Sequence, residues 1–172
     1  FDAMKNPTAL LLFGQYHKAL ALASVGDFAT ADRILRGDEN GNLRLNRGSL
    51  IAHAQIMSQL DRKEDALELL DEAVRGTSDQ GVQMLRDEIA AKGVVDYNFI
   101  TNARQGAAEV FLTLAGVLHG EQGERYALVY ARLAEFLRPK YTEAVLLTAE
   151  ILKDQKQFDM ATKTYAKVSR DD

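Results

Sequence analysis

The sequence predicts an all-α protein, a stack of antiparallel helix pairs with about nine helices, and three observations carry that prediction. Four times, an alanine is followed three residues later by Leu or Met and twelve residues later by a second alanine: Ala19/Leu22/Ala31, Ala54/Met57/Ala66, Ala115/Leu118/Ala127 and Ala149/Leu152/Ala161. A pattern that recurs in chain order and straddles a turn each time is the mark of a repeated helix–turn–helix unit. Only two prolines, Pro7 and Pro139, interrupt the 172 residues. Ala, Leu, Glu, Lys, Gln and Arg dominate, the residues with the highest helix propensity. An apolar fraction of 47% suffices for one continuous core, so residues 1–172 read as a single repeat domain.

Asn6-Pro7 reads as an N-cap followed by proline at the first helical position. The first helix then runs to about Ser24, and Gly26-Asp27 breaks it. A shorter helix, Phe28 to Leu35, completes a first pair over about 7–36. Gly37 to Asn46 is Gly/Asn-rich and polar, hence a loop. The second pair covers about 47–75, turning at Asp61-Arg62, with Gly76 as its C′ residue. From Ala66 to Ala127 is 61 residues, against 34 from Ala115 to Ala149, so something is inserted. A helix over about 78–91 striped with Val82, Leu85 and Ile89 accounts for part of the gap. The rest, 93–100, mixes Val94, Val95, Tyr97, Phe99 and Ile100 without helical order and reads as an extended strap over the helices. The third pair spans about 101–137, turning at His119 to Gly123 and stopped by Pro139. The fourth spans about 142–168.

The repeated alanines have a packing reason. Two antiparallel helices approach closest where side chains are small, and the large Leu22, Met57, Leu118 and Leu152 fill the space beside each contact. One pair cannot bury its own apolar face, whereas stacked neighbours can.

On these residues the chain resembles the tetratricopeptide repeat (TPR) family. The third unit carries the fingerprint as Phe111, Leu114-Ala115, Leu118, Ala127, Ala131, Ala134 and Pro139, and the fourth as Ala149, Leu152, Phe158, Ala161 and Tyr165. The first carries Ala19, Leu22, Gly26, Phe28, Ala31 and Leu35, and the second Ala54, Met57, Ala66, Leu70 and Ala73. Both lack the closing proline. The match covers about three quarters of the chain. The resemblance implies a right-handed superhelical α-solenoid. The stretch Asn102 to Glu109, with Tyr130-Ala131-Arg132 and Leu137-Arg138-Pro139, is similar to exported TPR proteins of alphaproteobacteria, which implies a periplasmic location, with the cytoplasm as the alternative. The start at Phe1 and the lack of a closing element at Asp172 read as a piece of a longer protein, with any targeting segment outside it.

In a TPR stack the first helix of each pair lines the concave face. Carried over by register, the lining is Phe13, Tyr16, Leu20 and Ala23; Ile51, Gln55 and Ser58; Leu112, Gly116 and His119; and Glu143, Leu146, Glu150 and Lys153. This surface is apolar at one end and mixed in charge at the other. Family members that grip a C-terminal carboxylate use Lys with Asn or Arg here, and Tyr16, Leu20, Ile51 and Gln55 do not supply that clamp. An apolar groove suits an amphipathic helix or an extended peptide. The partner-binding residues expected are therefore Phe13, Tyr16, Leu20, Ile51, Gln55, Leu112, His119, Leu146 and Glu150.

Other chemistry is excluded or weak. A net charge of −4 and a pI near 5.4 oppose a nucleic-acid partner. The absence of cysteine removes disulfides and thiolate ligands. Apolar runs such as Ala9 to Phe13 are far too short to span a bilayer. His17, His53 and His119 give no i,i+4 metal pair, with His53 expected packed and His119 solvated at a turn. Asp61, Glu64, Asp65, Glu68, Asp71 and Glu72 read as a solvated face. No phosphate-binding loop or nucleophile elbow occurs. Expected, then, is a non-enzymatic scaffold without metal or cofactor that binds a protein or peptide partner. A structural spacer in an envelope protein is the alternative, and apolar helix faces left at the ends would favour self-association.

Overall fold

A computed structural model of the chain describes residues 7–37, 46–75, 79–120 and 124–168. Among them are nine α-helices and no strand: α1 (Pro7–Ser24), α2 (Phe28–Arg36), α3 (Arg47–Gln59), α4 (Lys63–Val74), α5 (Gln80–Lys92), α6 (Ala103–Gly120), α7 (Glu124–Leu137), α8 (Thr142–Asp154) and α9 (Phe158–Tyr165). The expected N-cap Asn6, most of the loop after Gly37, the C′ residue Gly76 and the turn at 121–123 lie outside the described residues. The described helices fall into two compact units, Leu11–Thr101 and one built on Asn102–Asp172.

The repeat is visible in the backbone. Where α1 meets α2, α3 meets α4 and α8 meets α9, the same turn recurs at the same place in the pattern. Asp27 N donates to Leu22 O (3.0 Å), Arg62 N to Met57 O (3.0 Å) and Gln157 N to Leu152 O (2.8 Å). The residue before each of these donors is left-handed: Gly26 at φ 86°, Asp61 at φ 58° and Lys156 at φ 61°. This is the Schellman ending, which satisfies the last carbonyls of a helix by reversing the backbone hand at C′. Glycine takes that conformation without strain, while Asp61 and Lys156 hold it at some expense. All eight pattern alanines are at most 4% exposed, so the close approaches they permit are made.

In the unit Leu11–Thr101, α2 packs on α3, and α3, α4 and α5 pack on one another. Asp27 caps α2 by accepting from Thr30 N (3.2 Å), and Gly37 closes it at φ 69°. Asn46 and Ser49 form a reciprocal capping box at the start of α3, with Asn46 Oδ1 accepting from Ser49 N (2.8 Å) and Ser49 Oγ from Asn46 N (3.2 Å). Asp79 starts α5 by accepting from Val82 N, and it also accepts from the Arg47 guanidinium (2.6 Å). One core gathers Tyr16, Ala19, Leu20, Ala31, Leu35, Ala52 and Ile56, and a second gathers Ala54, Met57, Ala66, Leu70, Val82 and Ile89.

In the unit built on Asn102–Asp172, α6 packs on α7 and α8, α7 on α8, and α8 on α9. Asn102 Oδ1 accepts from Gln105 N (3.0 Å) at the start of α6. Pro139 follows the end of α7, as a residue without an amide donor should. Its cores are Ala115, Leu118, Ala127, Ala131 and Ile151, and Ala108, Ala134, Tyr141 and Ala144.

Candidate partner-binding groove

The first-helix face of the unit Leu11–Thr101 is occupied by its own chain. Residues 94–101 run without helix or strand, and side chains of α3 hold their main chain. Gln55 Oε1 accepts from both Asn98 N and Phe99 N (3.2 Å each), while Gln55 Nε2 donates to Asn98 Oδ1 (2.8 Å). One turn on, Ser58 Oγ accepts from Val95 N (3.3 Å) and Gln59 Nε2 donates to Val95 O (2.5 Å). Gln55, Ser58 and Gln59 are spaced i, i+3, i+4, which puts them on one side of α3. They satisfy strap amides and carbonyls that have no regular structure to pair with.

Apolar side chains complete the attachment. Phe99 and Ile100 enter the core with Tyr16, Leu20, Ala52 and Ile56, and Val95 joins the other core beside Ala54 and Met57. Tyr97 lies against Phe28 (centroids 5.8 Å apart). The ring of Phe99 reaches its place because residue 48 is glycine: a Cβ there would sit 2.8 Å from Phe99 Cζ and 3.1 Å from the Tyr16 hydroxyl.

This corrects part of the expected groove. Tyr16 is fully buried, Leu20 is buried and Gln55 is 5% exposed, so none of the three faces a partner. The strap has taken the place assigned to a ligand. Phe13 is half-buried against His17 (4.4 Å, edge-on), and Ile51 is half-buried between the two cores.

An ionic network lies in the same unit. The Asp32 carboxylate accepts from His53 Nε2 (2.9 Å), from Arg62 Nη1 (2.8 and 3.0 Å) and from Arg36 (2.9 Å). A carboxylate only accepts, so Nε2 is the protonated nitrogen of His53. Burial alone would raise the Asp32 pKa, but the His53 hydrogen bond and the Arg62, His53 and Arg36 charges outweigh it and hold it below the usual carboxylate value. His53 and Asp32 are both buried, and the network ties α2, α3 and the start of α4 together. His17 is packed against Tyr16 and Phe13, and desolvation lowers its pKa to about 4, which keeps it neutral.

In the other unit the equivalent face is open. Leu112 is half-buried over the Tyr141 core, Gly116 is exposed, Leu146 is 41% exposed, and Glu150 and Lys153 are exposed. His119 is not a solvated turn residue as expected. It stands in the last turn of α6, where its Nε2 meets Asp154 Oδ2 of α8 at 3.3 Å and its buried Nδ1 has no hydrogen-bond partner. Beneath this face the Tyr141 hydroxyl donates to the fully buried Glu109 carboxylate, joining the start of α8 to α6. Burial, then the Glu109 charge, pushes the Tyr141 phenol far above its ordinary pKa, so it stays a donor. The Arg138 guanidinium lies over the same ring, 4.4 Å from its centroid.

Of the expected residues, then, the structure leaves Leu146 and Glu150 accessible, while Leu112 and His119 are half-buried. Gln55, Ser58 and Gln59 are visible in the sequence as a polar row on one side of α3, but nothing local joins them to Asn98 or Gly48. No three His, Asp or Glu side chains are grouped to hold a metal ion, and no helix is long and apolar enough to cross a membrane, among the described residues. No family model and no curated protein matches the chain.

Proposed function

We propose that this chain is a protein-interaction module, a TPR-like solenoid segment that receives a partner peptide or helix on the first-helix face of α6 and α8. The observation that carries this reading is the contrast between two equivalent faces. In one unit the face is filled by an extended segment of the same chain, and this supports an extended peptide as the occupant. In the other unit Leu146, Gly116 and Glu150 stand exposed at the corresponding positions. The right-handed superhelix and a periplasmic location belong to the same proposal and rest on the family resemblance.

Photo-crosslinking tests it. A photoreactive residue at position 146 or 116 should give a discrete crosslinked partner in the source cells, and one at Glu64, on the exposed side of α4, should not. Identical crosslinks at all three positions would overturn the reading.

A second reading, a spacer whose surfaces pack against neighbouring repeats, is favoured by α7. Tyr126, Val129, Leu133 and Phe136 are exposed along it at alternating three- and four-residue steps, the spacing of a seam that packs against another helix. Crosslinks from position 129 to a helical segment of the intact protein, with none from position 146, would select it.

A further inference from the structure

The strap also indicates the chemistry of an occupant for the open face. The row that holds it is Gln55, Ser58 and Gln59, which follow the pattern alanine Ala54 by one, four and five positions. The residues following Ala149 of α8 by the same steps are Glu150, Lys153 and Asp154. In α3, Gln55 does two things: its oxygen takes two consecutive main-chain N–H groups, and its nitrogen donates to the Asn98 side chain. Glu150 keeps the acceptor and loses the donor. Its carboxylate is exposed and makes no hydrogen bond or ion pair among the described residues. Opposite a carboxylate, asparagine at the strap's position 98 would have to turn its amide over and offer Nδ2–H, a neutral donor, whereas a cationic side chain would make the stronger charge-assisted bond.

The apolar contact is retained. Leu146 follows the register of Ile51 and is exposed, with Leu112 of α6 partly exposed and Gly116, following the register of Gln55, leaving room beside it. The surrounding charge favours a basic partner: Glu143 and Glu150 flank Leu146 by one turn on each side, and Lys153 is the cation that opposes them on this face of α8.

We infer that the α6/α8 face binds an extended peptide in which a Lys or Arg directly precedes an aromatic or large apolar residue, with Glu150 taking the peptide's main-chain N–H groups and its cation, and Leu146 its apolar side chain. This deepens the interaction-module reading and rests on it.

Fluorescence anisotropy on the full chain tests the inference with two labelled peptides, the strap sequence 94–100 and the same peptide carrying Asn98→Lys. The lysine peptide should bind saturably and about tenfold more tightly than the strap peptide, weakening as salt is raised. Glu150→Gln should abolish or reverse that preference, because it restores the amide found at Gln55. Leu146→Ala should weaken both peptides. Both side chains are exposed, so neither change touches the core, and circular dichroism verifies the fold. Equal binding of the two peptides, or a preference that survives Glu150→Gln, overturns the inference. If binding then still depends on Leu146, the interaction-module reading stands without it. If neither peptide binds, the inference fails, and crosslinking at position 146 decides whether the broader reading fails with it.

Discussion

Replacing Gly48 by alanine sets two effects of known size against each other. Gly48 is the second residue of α3, and in a helix alanine is favoured over glycine by up to about 1 kcal/mol. Against that, the new methyl would lie 2.8 Å from Phe99 Cζ and 3.1 Å from the Tyr16 hydroxyl. Phe99 is buried in the core that holds Tyr16, Leu20, Ala52 and Ile56, so its ring can yield only by disturbing that packing. Overpacking of this kind costs about 1–3 kcal/mol. The balance is a destabilisation of about 1 kcal/mol, which for a unit of this size lowers the melting temperature by roughly 4–8 °C. The double-mutant cycle is the decisive measurement. In a Phe99→Leu background the offending ring atom is gone, so Gly48→Ala should become neutral or stabilising, with the Tyr16 hydroxyl taking back part of the gain. Urea denaturation followed by far-UV circular dichroism should then give a coupling of about 1–3 kcal/mol. If Gly48→Ala stabilises the wild-type chain, or has the same effect in both backgrounds, Phe99 is not seated against α3 as described.

Gln55→Ala should strip the strap of two acceptor contacts, and hydrogen exchange at the Asn98 and Phe99 amides should accelerate while exchange within α4 is unchanged. Asp61→Gly and Lys156→Gly should each raise stability by about 0.5–1 kcal/mol, because both residues hold a left-handed conformation that glycine adopts freely; a loss of stability on thermal melting would contradict the turn geometry. Asp32 has a folded pKa depressed below its unfolded value, so its stabilising contribution is present above about pH 4 and is lost as pH falls through the lower, folded value. Asp32→Asn should accordingly flatten the acid limb of the stability–pH profile and cost about 3 kcal/mol at neutral pH, the low end for a broken buried pair, since Arg62 and Arg36 remain partly solvated. Tyr141→Phe should cost about 1–3 kcal/mol by leaving the buried Glu109 carboxylate without that donor, and in spectrophotometric titration of the wild type one tyrosine should stay protonated until the chain unfolds.

Helix positions were legible in the sequence because their determinants are local. Gly26-Asp27, Asp61-Arg62 and Pro139 mark ends whether or not anything packs against them, and the Ala/Leu/Ala pattern marks contacts that any antiparallel pair must make. The left-handed state of Asp61 and Lys156 was not legible residue by residue, since neither is a usual C′ residue. It becomes visible only when the repeats are aligned on Gly26. Which of Tyr16, Leu20, Gln55, Leu146 and Glu150 meets solvent was not legible at all, because it depends on segments distant in the sequence.

By itself, then, the sequence determined that the chain is helical, where its helices turn, and which alanines lie at their contacts, because backbone propensity and small-residue packing act over a few residues. The tertiary structure alone decided that one first-helix face is closed and the other open. That outcome depends on the strap returning, some forty residues after Gln55, to place Phe99 against Gly48 and its amides on Gln55. No local pattern encodes a contact at that separation.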